Sequence, residues 1–235
     1  MLDARDPGDA IRDEAVVLTG INSQVRTMTH RLRVYSDYKS PYAYLAKDLT
    51  YELKRQTGVT IEWLPYTLDI PAYLGSARVD GEGNVLEQSR NAHQWRRVKY
   101  SYMDCRREAN LRGLTIRGPR KIFDSRLANI GLLYAQQRGV LRAYHDCVFE
   151  RFWRRDLDIE SVDALADVLA QAGTEAEGFV AFVQGEGGLR LDAVQREAEA
   201  AGVFGVPSYL FADGDLYWGR EHLPRIRELL TAKSR

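Results

Sequence analysis

The sequence predicts an α/β chain whose small sheet is assembled from both ends of the chain, with helices between. Three observations carry this. Residues 31–65 show strand, helix and strand periodicity in turn, a long stretch after Asn84 keeps a helical period, and the chain from Ser208 onward reads as strand, strand and helix.

The elements follow in order. Leu32 and Val34 alternate with Arg31, Arg33 and Tyr35, as in a strand. Ser40-Pro41 reads as a helix start, with serine at the N-cap and proline at the first helical position. Tyr42, Leu45, Leu49 and Leu53 continue at helical spacing, and Gly58 closes the helix. Val59, Ile61 and Trp63 alternate in a second strand that ends at Pro65 and is expected to lie parallel to the first. A loop rich in Gly, Asp and Pro is expected from Asp69 to Asn84. Trp95, Val98, Tyr102, Cys105 and Ala109 mark a long helix stopped by Gly113, and further helices are predicted over 125–138, 141–154, 161–172, 175–184 and 189–201. Ser208–Phe211 and Leu216–Trp218 are short strands joined by the turn at 212–215. Leu223, Ile226, Leu229 and Leu230 mark the closing helix. This order, β-α-β, helices, then β-β-α, is that of a thioredoxin-like fold with an inserted all-helical domain. The expected division is an N-terminal arm at 1–29, mobile for want of periodicity, a thioredoxin-like domain from 30–68 and 203–235, and a helical insert at 69–202.

Composition narrows the function classes. The 235 residues carry 33 Lys plus Arg and 33 Asp plus Glu, a formal net charge of zero. That balance argues against a general nucleic-acid or anionic-membrane binder. No run approaches the roughly 18 apolar residues of a membrane span. The N-terminus, MLDARDPGDAIRDEAVVL, is acidic and broken by Pro7 and Gly8, unlike a secretion signal, so a cytoplasmic protein is expected. Cys105 and Cys147 are the two cysteines, and neither has a partner or metal-ligand pattern beside it, so no disulfide framework and no metal site are expected. Cys105 falls on an apolar helical stripe and reads as core. His30, His93, His145 and His222 are scattered. The basic, aromatic run WRRVKY reads as a solvated helix face over a core stripe, although its Arg96 and Arg97 are candidates for meeting a substrate anion. The segment GEGG at 185–188 lacks the strand, Lys and Ser/Thr of a phosphate loop and reads as an inter-helix turn.

Two segments carry chemistry, SDYKSPYAYLA at 36–46 and GVFGVPSYLF at 202–211. Ser40 sits where a strand ends and a helix begins. Free N–H groups and the helix dipole there favour an anion, which would lower the pKa of a bound thiol, and a serine hydroxyl can donate to the thiolate. The plain alternative is a helix cap worth about 1 kcal/mol. Val206-Pro207 precedes a strand, where proline cannot donate to the ladder. A cis bond there would turn the Val206 backbone toward the helix start, able to pair with an extended peptide-like ligand. A dithiol redox site would need cysteines at positions 40 and 43. Ser40 and Ala43 occupy them, so no dithiol cycle can run there.

With both segments in this order, the chain resembles the DsbA-like superfamily, most of all its branch of 2-hydroxychromene-2-carboxylate isomerases and kappa-class glutathione transferases. SPYAYLA resembles that branch's serine-containing helix-start motif, GVFGVPSYLF its V-F-G-V-P-T segment, and Leu216-Tyr217-Trp218-Gly219 the W-W-G ahead of its last helix. The resemblance runs from Arg31 to Leu230. It implies a glutathione site, with Ser40 matching the serine that holds the sulfur, and Val206 and Pro207 the pair that binds the cysteinyl backbone. Arg220 and Glu221 stand where relatives carry shorter residues that receive the γ-glutamyl end, and Glu221 keeps the acid. Tyr42, beside Ser40, is placed to flank a ligand. The implied function is a glutathione-dependent (or other low-molecular-weight-thiol-dependent) isomerase or transferase acting on a small aromatic or electrophilic substrate, with Ser40 stabilising the thiolate. A homodimer is compatible with this. A second reading is a redox-inactive binding protein that holds a peptide or partner at the cis-proline edge.

Overall fold

The computed structural model describes residues 31–232, so the expected arm at 1–29 lies outside the described residues. Strand β1 (Arg31–Ser36), helix α1 (Pro41–Thr57) and β2 (Thr60–Pro65) form the first unit, and β5 (Ser208–Phe211), β6 (Leu216–Trp218) and α9 (Leu223–Ala232) the last. The sheet order is β2-β1-β5-β6. β1 runs parallel to β2, with Leu32 opposite Ile61, and antiparallel to β5, with Tyr35 opposite Ser208. The chain therefore closes its sheet by laying β5, from its far end, against the free side of β1.

Alternation along β1 sends its side chains to two cores. Leu32 and Val34 pack with Trp63, Tyr209 and Phe211 of the sheet, Leu53 of α1, and Leu223 and Ile226 of α9. Tyr35 points the other way and is also buried, because the helical block covers that face and shares its core. Only Arg31 and Arg33 remain at the rim, where both pair with Glu62 at 2.9 and 3.3 Å. Helix α1 begins and ends as its sequence dictates. Ser40 caps it, Pro41 opens it, and Gly58, in the left-handed region at φ 69°, closes it by donating its N–H to the Lys54 carbonyl.

The stretch expected as a loop from Asp69 to Asn84 holds secondary structure. Helix α2 (Ile70–Leu74) and strand β3 (Ala77–Val79) lie within it, and β3 pairs with β4 (Val85–Gln88) as a separate antiparallel hairpin. These elements are short and their buried side chains few, so periodicity could not announce them. Asp69 caps α2 through Ala72 N–H, and the Asp80 carboxylate accepts the N–H groups of Glu82 and Asn84 to form the hairpin turn.

The helices follow as α3 (Ala92–Leu111), α4 (Arg126–Gln137), α5 (Leu141–Arg154), α6 (Val162–Gln171), α7 (Ala176–Phe182) and α8 (Gly188–Ala200). An Asn91–Gln94 capping box starts α3. The chain turns at the GEGG segment, where Gly185 leaves helical geometry (φ −103°, ψ −111°), yet a π-helical stretch from Val183 to Gly187 joins α7 to α8. α4 and α5 meet closely enough that the Tyr144 hydroxyl donates to the Ala128 carbonyl at 3.0 Å, over Gly131. Any side chain at Gly131 would strike that hydroxyl. Cys105 is fully buried, and burial pushes its thiol up to about 12, which suits the core role read from its stripe. No helix among the described residues is long and apolar enough to cross a membrane.

His145 on α5 is a titratable ring enclosed in the helical block. It is fully buried, its Nδ1 lies 3.0 Å from the Tyr51 hydroxyl, and among the described residues its Nε2 has no hydrogen-bond partner. Trp63, Tyr38 and Phe149 surround it, with ring centroids 4.8, 5.8 and 6.0 Å away. Burial, with the neighbouring Lys47 charge, pulls its pKa down to about 3.

Candidate active site at the start of helix α1

The turn from β1 into α1 is tight. Ser40 donates its N–H to the Asp37 carbonyl at 3.0 Å, and its own carbonyl accepts from Tyr44 as the helix begins. Its backbone is extended (φ −93°, ψ 116°), and its hydroxyl accepts the Ala43 N–H at 3.2 Å. Among the described residues the hydroxyl proton has no acceptor, so it is free to donate. Ser40 is 4% exposed, and the end of the sheet lies beside it because Tyr35 of β1 pairs with Ser208 of β5. The Val206–Pro207 peptide that leads into β5 is cis. Pro207 accepts the Gly219 N–H at 2.9 Å, which ties the β5 entry to the loop after β6. Among the described residues, neither the amide nor the carbonyl of Val206 has a hydrogen-bond partner.

A cavity of about 820 Å³ opens at this corner. Tyr42, Val206, Pro207, Trp218, Arg220 and Glu221 line it, together with other residues of α1 and the start of α9. The structure thus brings Tyr42, Val206, Pro207, Arg220 and Glu221 to one cavity. Ser40 sits at the helix start behind them and does not itself line the wall. Arg96 and Arg97 are exposed on α3 and line neither this cavity nor the smaller one described below.

The charged side chains divide into committed and free. Arg220 donates through Nε to Glu108 Oε2 at 2.6 Å, its second nitrogen also pairs with Glu108, and Asp104 lies at 4.0 Å. Its guanidinium also lies over the Tyr42 ring, 5.1 Å from the centroid, a cation–π contact. The Tyr42 hydroxyl donates to Asp104 Oδ2 at 3.2 Å, and burial raises its pKa. Arg220 is therefore bound into a bridge between the β6–α9 loop and α3. Glu221, by contrast, forms no ion pair among the described residues and folds its carboxylate back over Gly219 (φ 109°). Asp104 and Glu108 escaped the sequence reading, although their i,i+4 spacing flanks the buried Cys105 and Ala109 stripe. Charges at the border of a core stripe are the signal that could have found them.

Behind Ser40 lies a second group that the sequence reading passed over. Asp37 is buried, and its carboxylate accepts the Leu68 N–H at 2.8 Å, the Lys39 N–H at 3.4 Å and the Asn129 amide at 3.5 Å. Asn129 also donates to Thr67 Oγ1 at 2.9 Å. Burial raises the Asp37 pKa against the opposing pull of the Lys39 charge and of the Leu68 and Lys39 N–H groups. This network fixes the turn that presents Ser40.

Comparison with known proteins agrees with this architecture. The model of the DSBA-like thioredoxin domain matches residues 31–231. The chain is 31% identical over 195 residues to 2-hydroxychromene-2-carboxylate isomerase of Pseudomonas putida, covering 80% of this chain and 88% of the relative. It is 28% identical over 206 residues to the enzyme of the same name from Sphingobium xenophagum, covering 86% and 99%. A solved structure of a 2-hydroxychromene-2-carboxylate isomerase superposes with a TM-score of 0.67 at 25% identity, over 87% of this chain and 96% of that one. On a match that spans nearly all of its described residues, the chain belongs to the DSBA-like thioredoxin domain family, on the branch that holds the 2-hydroxychromene-2-carboxylate isomerases.

Proposed function

We propose that the protein is a thiol-dependent isomerase that uses glutathione and acts on a small aromatic substrate carrying a conjugated electrophilic carbon. One observation carries the reading: a serine with a free hydroxyl proton, not a cysteine, occupies the start of α1 at the end of the sheet, in a chain related to isomerases. A cysteine there would make the protein its own nucleophile. The Ser40 hydroxyl has no general base among its partners in the described residues to activate it, so its part is to assist a nucleophile brought from outside.

The residues present fit such a group. The cavity of about 820 Å³ falls in the range of roughly 300–1,000 Å³ usual for small-molecule sites. The unpaired Val206 amide and carbonyl offer one donor and one acceptor to an extended backbone, and the free Glu221 carboxylate suits an ammonium. Glutathione, when bound, supplies a nucleophilic sulfur that adds reversibly to an electrophilic carbon and so permits rotation about a former double bond. The chain's part is to hold the sulfur as thiolate. Ser40 Oγ–H donates to it, and the Tyr42 N–H, which has no acceptor among the described residues, adds its partial positive charge with that of the α1 dipole. Arg220, bound to Glu108, shapes the cavity wall and holds Tyr42 in place.

Turnover of 2-hydroxychromene-2-carboxylate, followed by absorbance, should require added glutathione. Calorimetry should show Glu221→Ala binding glutathione about 10-fold more weakly, a loss expected of one charged hydrogen bond. The same substitution should leave Cys-Gly, which lacks the γ-glutamyl end, unaffected. Turnover that is equal with and without thiol would sink the reading.

A further inference from the structure

A smaller cavity of about 430 Å³ opens beside the turn that presents Ser40. It is lined by Lys39, the β2–α2 connection at 67–69, Pro71, the loop at 122–124, Arg126 and Gln195. Lys39 is the unusual member. It is 8% exposed, and lysines are almost never buried unless paired. Its ammonium has one ionic neighbour, Asp37 Oδ2 at 4.0 Å, which is beyond hydrogen-bond reach, and among the described residues no acceptor meets its N–H groups. The Asp37 oxygens are already engaged by Leu68, Lys39 N–H and Asn129.

The other charges at this cavity have their own partners. Arg126 pairs with Asp192 at 2.8 Å, Asp124 accepts the Arg126 N–H at 2.9 Å, and Asp69 caps α2. Gln195 spends its amide on the Thr67 N–H and on Glu199. The Lys39 ammonium, whose stem is buried but whose nitrogen opens to the cavity with no hydrogen-bond acceptor among the described residues, is therefore the least committed charge here. Leu68, Pro71, Ile122 and Phe123 supply apolar walls around it.

We infer that this cavity is a binding site for a planar aryl carboxylate, with the Lys39 ammonium receiving the carboxylate. The apolar walls cover the ring, and the ammonium exchanges water for a charged acceptor. The inference rests on the thiol-isomerase reading only for its role: Lys39 immediately precedes Ser40, so the electrophile's carboxylate would be anchored next to the thiol's station. Lys39 is then a substrate-positioning residue.

Salicylate, and salicylamide as its uncharged counterpart, serve as probes by calorimetry. The wild type should bind salicylate at least 10-fold more tightly than salicylamide, as one charged hydrogen bond allows. Lys39→Met, which keeps the stem and drops the charge, should erase that preference. Ile122→Trp, which fills the cavity and leaves the Lys39 charge in place, should abolish binding of both probes and guards against misfolding of the first variant. Both variants should keep the wild-type affinity for glutathione. Equal binding of the two probes by the wild type, or an unchanged preference in Lys39→Met, overturns the inference. If salicylate binds in a Lys39-dependent way while glutathione fails to bind at all, the thiol reading falls and the carboxylate site stands.

Discussion

Ser40→Gly should lower kcat with glutathione by roughly 10²–10³, the loss typical of removing one donor aimed at developing negative charge. Glycine is the informative replacement because it is tolerated at an N-cap at a cost of only a few tenths of a kcal/mol, whereas alanine also forfeits the cap, about 1 kcal/mol. The Ser40 hydroxyl does both jobs in the structure, accepting from Ala43 while keeping its proton to donate. Comparing the two variants separates them: similar activity losses with unequal stabilities would assign the activity to the donated proton. The bound thiol should also titrate at higher pH in Ser40→Gly, read by the ultraviolet absorbance of the thiolate. A variant with wild-type kcat and an unshifted thiol titration would reduce Ser40 to a helix cap.

Lowering the pH from 7 to 4.5 should cost the wild type about 2.7 kcal/mol of stability through His145 alone, at about 1.4 kcal/mol per pH unit below the ordinary histidine value near 6.5. In the folded protein the ring stays neutral down to about 3. The unfolded chain binds the proton from pH 6.5 downward, so the loss begins there and levels off near 3. Urea unfolding at both pH values, in the wild type and in His145→Phe, isolates this contribution from the carboxylates, which titrate in both. The substituted ring would sit among Trp63, Tyr38 and Phe149 with no proton to refuse. Identical pH dependence in the two proteins would mean that the ring reaches solvent.

The parts of the fold that were legible in the sequence are those where burial is one-sided. Leu32 and Val34 against Arg31 and Arg33 gave β1 because one face meets the α1–α9 core and the ends of the other reach water. Tyr35 misled the same pattern, since the helical block covers its face. The α2 turn and the β3–β4 hairpin were illegible because their side chains stay half-buried or exposed, leaving no periodicity to read. At the candidate site, the Ser40 cap and the special Val206–Pro207 peptide were readable from local backbone rules. The engagement of Arg220 with Glu108 was not, because it joins residues far apart in the chain whose meeting depends on how α3 packs on α1. Lys39 was hidden for a related reason. Nothing in a single sequence distinguishes a lysine spread on the surface from one whose stem is buried and whose ammonium opens to a cavity.

The antiparallel pairing of β1 with β5 has a consequence for how the protein is made. Leu32 and Phe211 are neighbours in the sheet, yet nearly the whole described chain is synthesised between them. As the chain leaves the ribosome, β1 and β2 can pair at once and the helices can form locally. One long side of β1 stays unpaired until the final segment emerges. That open edge offers an unmatched row of N–H and C=O groups to any passing strand, as edges of unfinished sheets do. Docking of β5 is a single closure over a very long loop, the kind of contact that slows folding most. A chain cut short before Ser208 would keep its helices and its first two strands, and it should be lost to aggregates rather than accumulate as a soluble fragment.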